Sequence, residues 1–314
     1  MKRRILFALG AAAIATGSVF AQTAIDAYTV SPTQLRGSAR FISMGGAFTS
    51  LGGDLTCMTQ NPAGLGLYRT SDIGLTFDIS IRRNTAQTNT GAYKTDQTKG
   101  YFDNFGYVGV SLNDNSALKA FQWGLGYNRL ATFNRKINGY NNPAHGSLTN
   151  YIASITNGVP SGALLETDDY DPYLDGSDDW LSILAYNSMM ISDNGVDDQY
   201  VGLRNNLTKG DALYSTVESG YVDEYNIDFA GNVSDVLFWG LGLGIVDMNY
   251  SRFATYSESM ENATVYDKST DALVNGNAGY NLYNTKYING SGVNLKFGLI
   301  FRCLLYTSDA ADDK

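Results

Sequence analysis

The chain has 314 residues, with 22 Lys and Arg against 31 Asp and Glu, a formal net charge of −9. So acidic a chain lacks the electrostatic footprint of a nucleic-acid binder, and a composition that is 44% hydrophobic and only 17% charged excludes global disorder. With 34 Gly and 5 Pro it is neither a coiled coil nor a proline-rich linker, and no apolar run of membrane-helix length follows residue 25, which leaves a β-barrel open.

Residues 1–21 read as a secretory signal peptide. Lys2, Arg3 and Arg4 are the positive start, Ile5 to Ile14 the apolar run, and Val19-Phe20-Ala21 the cleavage site. The mature chain then begins at Gln22, outside the cytoplasm. Only Cys57 and Cys303 are present, so at most one disulfide forms, and stability must come from a large core or from a sheet in a membrane.

Residues 22–71 show no strand period. They carry Ser38 to Asp54, with Met44-Gly45-Gly46-Ala47-Phe48 and Gly53-Asp54, and then Asn61-Pro62-Ala63-Gly64-Leu65. Pro62 sets its own φ and pushes Asn61 out of the helical region, and Gly64 is free to adopt angles other residues avoid. Asn61, Pro62, Ala63 and Gly64 are therefore candidates for a hinge leading into the first strand, beside the plainer reading of an ordinary turn.

From Asp72 onward the sequence alternates. Ile73, Leu75, Phe77, Ile79 and Ile81 share one face, and the period of two recurs in 119–137, 220–233, 237–250 and 292–302, more weakly in 105–112. These are six predicted antiparallel strands. Short turns at Asn113 to Ser116 and after Val233 oppose long connections at 84–101, 138–219 and 251–291, the plan of an outer-membrane barrel. A soluble β-sandwich is the competing architecture.

Gly124, Gly126, Gly240, Gly242 and Gly244 fall on the polar, lumen-facing side of these strands. Either another segment packs against them, the plug being residues 22–71, or the strands bend there. In the long loop 138–219, Asp178 or Asp179 is placed to cap a helix. Its apolar Trp180, Leu184 and Met190 are candidates for capture of an apolar ligand, beside the plainer reading of a small core under the loop. Residues 303–314 lose the alternation and resemble a translated sequencing adapter, which predicts that the sheet does not continue through them.

The Met-Gly-Gly-Ala-Phe block, the Gly-Asp pair and Asn-Pro-Ala-Gly-Leu ahead of the first strand resemble the long-chain fatty-acid transporter family of outer-membrane proteins, of the Bacteroidetes type, over about residues 38–302. The resemblance implies an all-β, 14-stranded antiparallel transmembrane barrel, of which six strands are legible, with an N-terminal hatch. It implies passive uptake of a small hydrophobic ligand across outer-membrane lipid by a monomer without a cofactor. The same opening occurs in the barrel subunit of the type IX protein secretion system, and a general porin is a third alternative.

Chemistry for an enzyme is scarce. The sole histidine, His145, stands among Asn141, Asn142 and Pro143, with no Gly-x-Ser-x-Gly turn in the chain. The acids Asp168 to Asp179 miss the spacing of a calcium loop, and no Cys/His set has metal spacing. The expectation is therefore no catalytic residue and no metal.

Overall fold

A computed structural model describes residues 24–31, 34–113, 115–142 and 144–302. Residues 1–21, expected to be a signal peptide, and the tail 303–314 lie outside the described residues. The N-terminal segment holds helices α1 (Ala24–Val30), α2 (Ala39–Ser43) and α3 (Cys57–Gln60) and a 3₁₀ helix, Pro62–Leu67. The strands β1 (Asp72–Thr88), β2 (Gly91–Leu112), β3 (Leu118–Thr132), β4 (Arg135–Asn141), β7 (Lys209–Val233), β8 (Leu237–Asp267) and β9 (Ala272–Phe301) form one sheet. Between β4 and β7 stand α4 (Leu148–Thr156), α5 (Trp180–Asn187) and a small hairpin, β5 (Ile191–Asp193) with β6 (Tyr200–Gly202).

The main sheet is antiparallel throughout, in the order β1-β2-β3-β7-β8-β9, with β4 pairing β7 beyond the end of β3. The all-β expectation therefore holds, and among the described residues β1 and β9 are the two ends of the sheet.

The strand boundaries correct the sequence reading. The supposed loops 84–101 and 251–291 are strand, joined by tight turns at Asn89-Thr90 and 268–271, so β8 and β9 reach 31 and 30 residues. The upper halves carry Thr, Asn, Ser and Tyr on both faces, so no apolar period marks them. Ladder hydrogen bonds hold them extended all the same.

One face of the lower sheet is exposed and apolar. It carries Ile73 to Ile81 on β1, Phe102 and Phe105 on β2, Phe121 to Leu125 on β3, Tyr225 to Phe229 on β7, Leu237 to Ile245 on β8 and Val293 to Phe301 on β9. Leu295 is 84% exposed and Ile73 67%. A monomeric soluble protein rarely leaves so wide an apolar patch uncovered. The band crosses the strands obliquely. Ile73 connects through Tyr107, Leu125, Ile227 and Leu243 to Leu295, six residues along β9 from Phe301, where the band begins. Its upper edge climbs equally. Val293 shares a rung with Leu75, and the band runs on to Ile81. Six residues of rise across five strand spacings place the strands at about 40° to the normal of the band.

The opposite face is polar and buried. Asn104, Gln122, Asn128, Glu224, Asn226, Asp228 and Asn232 are all at most 2% exposed, because the N-terminal segment covers them.

Candidate functional site

The site is the seam between residues 34–68 and this buried face. Met58 and Leu65 point into the sheet. A Cβ on Gly126 would stand 2.7 Å from the Met58 methyl, and one on Gly124 would stand 3.0 Å from Leu65. A Cβ on Gly240 would collide with the Pro62–Ala63 peptide, and one on Gly298 with Asn61. These glycines bring the backbone of the sheet up to the segment, the first of the two readings of the glycine rows. Gly242 and Gly244 do something else. Their missing side chains leave room for the carboxylates of Asp228 and Glu224 from the neighbouring strand.

Asn61, Pro62, Ala63 and Gly64, the expected hinge, form a buried, closely packed turn. Asn61 is extended (φ −142°), as the following proline requires, and its Oδ1 accepts from Ala63 N at 3.1 Å while its Nδ2 donates to Thr49 O at 2.6 Å. Pro62 to Gly66 is a buried 3₁₀ turn wedged against β7, β8 and β9. Gly64 is not at positive φ. It is glycine because a Cβ would stand 2.9 Å from Cys57 Sγ and 3.0 Å from Gly52 Cα. The conformational demand falls instead on Gly52, at φ +59°.

Charge ties the seam together. Lys296 Nζ donates to Glu224 Oε1 at 2.7 Å and Asn226 Oδ1 at 2.9 Å across the sheet, and to Met58 O at 3.1 Å in the segment. Asp228 lies beside this cluster, fully buried, and among the described residues neither carboxylate oxygen has a hydrogen-bond partner. Arg36 reaches from the segment to Asp103 and, at 3.1 Å, to Asp78. At the far end Lys286 pairs with Asp26 of α1. Glu224, Asp228, Lys296 and Arg36 are the residues that the sequence reading did not single out. The acids stood on the polar face of one alternating stretch and the lysine on that of another, but their meeting needs the register.

Cys57 is fully buried beneath this wedge, and burial pushes its thiol up, out of the reactive range. In a Cys303→Ser background it is the only thiol, so maleimide labelling is expected to be slow on the folded protein. Gly126→Leu, which crowds Met58, is expected to raise the labelling rate and to cost about 1–3 kcal/mol. Unchanged labelling with intact folding would show that Met58 does not seat the segment.

The loop between β4 and β7 has its own core of Ile152, Leu164, Ile183, Met190, Ile191 and Tyr200. Asp179 caps α5 as expected, its Oδ1 accepting from Leu181 N at 2.9 Å. Trp180 is exposed and Leu184 half-buried, but the helix ends at Asn187. Met189 turns at φ +59° and drives Met190 into the core, 8% exposed. Met190 is thus a core residue and not part of a surface groove. A separate cavity of 620 Å³ opens between this loop and the β8–β9 tip, lined by Leu165, Tyr186, Met189, Ile191, Tyr266 and Leu273, and it includes none of the three expected residues. Tyr200 donates to Val159 O at 2.8 Å, and burial pushes its phenol up to about 12. The folded loop favours the neutral phenol. Its contribution is therefore complete below about pH 10 and is lost as pH rises towards 12, and Tyr200→Phe is expected to abolish that alkaline loosening in a circular-dichroism titration. His145 is exposed beside Tyr214 and Tyr256 in a cleft at the root of the loop.

No protein-family model, curated protein or solved structure matches the chain.

Proposed function

We infer that the protein is an outer-membrane wall for passive uptake of a hydrophobic compound, with residues 22–71 as its hatch. One observation carries this reading: an N-terminal segment is seated on the buried polar face of a sheet whose other face is a continuous, exposed apolar band. Nine residues of band on each of β1, β8 and β9, at about 40°, suit a lipid-facing barrel wall, whose strands tilt by about 35–45°. In lipid no sheet edge stays unpaired, so β1 and β9 require partner strands. A general porin needs no seated segment across its polar face. The 620 Å³ cavity at the outer tip, with Leu165, Met189 and Leu273, supplies an apolar entry point, and Trp180 and Leu184 stand exposed or half-buried on the same loop.

Burial of a ten-carbon chain at about 0.8 kcal/mol per CH₂ suffices for micromolar capture after ordering costs. Cells lacking other transporters are expected to take up a labelled fatty acid or alkane when they make this protein. Met189→Asp is expected to reduce binding to the purified protein before it alters the hatch. If neither solute binds, and loss of the gene traps exported proteins in the periplasm, the protein is a secretion shuttle instead.

A further inference from the structure

The outward face does not become uniformly polar above the apolar band. After Asp247, Asn249 and Ser251 on β8, and Ser291 and Asn289 on β9, a second cluster appears on the same face. Phe253 and Tyr283 stack with their centroids 6.1 Å apart and planes 20° apart, and Tyr283 is 61% and Tyr287 72% exposed. Phe253 lies eight residues beyond Ile245, and Tyr283 ten beyond Val293. At about 3.3 Å per residue and about 40° of tilt, Phe253 and Tyr283 stand about 20–25 Å above the band and Tyr287 about 15 Å above it.

Directly beyond the aromatics lies a dent of 380 Å³, lined by Asp211, Leu213, Ser257, Ser259, Gly279 and Asn281. Ser257 and Asn281 are paired across the ladder and joined by a 2.6 Å hydrogen bond, and Asn281 and Tyr283 share one face two residues apart on β9. The absent side chain of Gly279 deepens the dent. Between the Asp211↔Ser259 and Ser219↔Ser251 rungs, the outward positions of β7, β8 and β9 carry one charge, Asp211, which accepts from Tyr140 at 2.8 Å. Lys136 of β4 lies on the far side of Val217.

We propose that this wall, Phe253, Tyr283 and Tyr287 with the Ser257–Asn281 dent, is a binding surface for a neutral glycan chain of the outer leaflet. It rests on the membrane reading above. Open aromatic rings offer apolar platforms to sugar faces, while hydroxyl, amide and carboxylate groups beside them match sugar hydroxyls. A phosphorylated or sulfated chain would meet Asp211 in the dent and no cation there. A lipid tail does not fit, because the polar belt separates the cluster from the apolar band, and a hydroxyl-lined dent would leave unpaired polar groups against it.

The test uses the full chain in detergent and polysaccharide freed by mild acid from the outer leaflet of the native cells, separated into neutral and phosphorylated fractions. Calorimetric titration is expected to show binding of the neutral fraction. Tyr283→Ala is expected to weaken it about tenfold, Tyr283→Phe to preserve it, and Asn281→Ala to weaken it comparably. Both residues are exposed, so the variants are expected to unfold at the wild-type denaturant midpoint. Tyr283→Ala is also expected to leave uptake of the apolar solute unchanged, which separates this surface from transport. No binding of the neutral fraction, equal binding by Tyr283→Ala, or preference for the phosphorylated fraction would overturn the proposal. Normal uptake alongside any of these would leave the transport reading standing.

Discussion

Replacing Lys296 by Met is expected to destabilise the folded protein by about 3–5 kcal/mol, the cost of leaving one partner of a buried ion pair uncompensated. Glu224 keeps 2% side-chain exposure, and Lys296 Nζ at 2.7 Å is its cationic partner. Asp228, already without a hydrogen bond, would lose the nearby positive charge as well. Denaturant unfolding of the purified protein measures the effect. Adding Glu224→Gln removes the orphaned charge, so the double variant is expected to recover a large part of the loss, a coupling that a cycle of single and double variants reads directly. Lys296→Met by itself also frees Met58 O, so Cys57 labelling should accelerate even where the sheet stays folded. Additive losses in the cycle would mean that Lys296 and Glu224 do not act as a pair.

Leu241→Arg is the second large expected effect. Leu241 is 50% exposed at the centre of the β8 band, between Trp239 and Leu243. If that face meets lipid, the charge costs about 2–4 kcal/mol at mid-membrane depth. Thr255→Arg, on the same face of the same strand but beyond the band, is expected to change stability by about 0.5 kcal/mol or less. The comparison is made by unfolding titration from lipid vesicles. Equal tolerance at the two positions would remove the membrane assignment, because water beside Leu241 would accept the guanidinium as readily as water beside Thr255.

The alternation of residues 72–83, 237–250 and 292–302 was enough to determine strands with one apolar and one polar face, since a period of two has no helical equivalent. The glycines at 124, 126 and 240 were legible as places of close approach, and Asp179 as a helix cap. Three things were decided only in the tertiary structure. Residues 84–101 and 251–291, apart from the turns at 89–90 and 268–271, are strand although they lack a pattern, because alternation records a difference between two environments and fades where polar side chains are mixed into both faces. Gly64 is required by contact with Gly52 and Cys57, not by its own φ, and such a contact is invisible until the wedge is folded. Glu224, Lys296 and Met58 O meet because ladder register aligns β7, β8 and β9 within hydrogen-bond reach. Each strand's pattern specifies which face a side chain takes, but the neighbour it meets there is set by how the strands slide past one another and by what covers them.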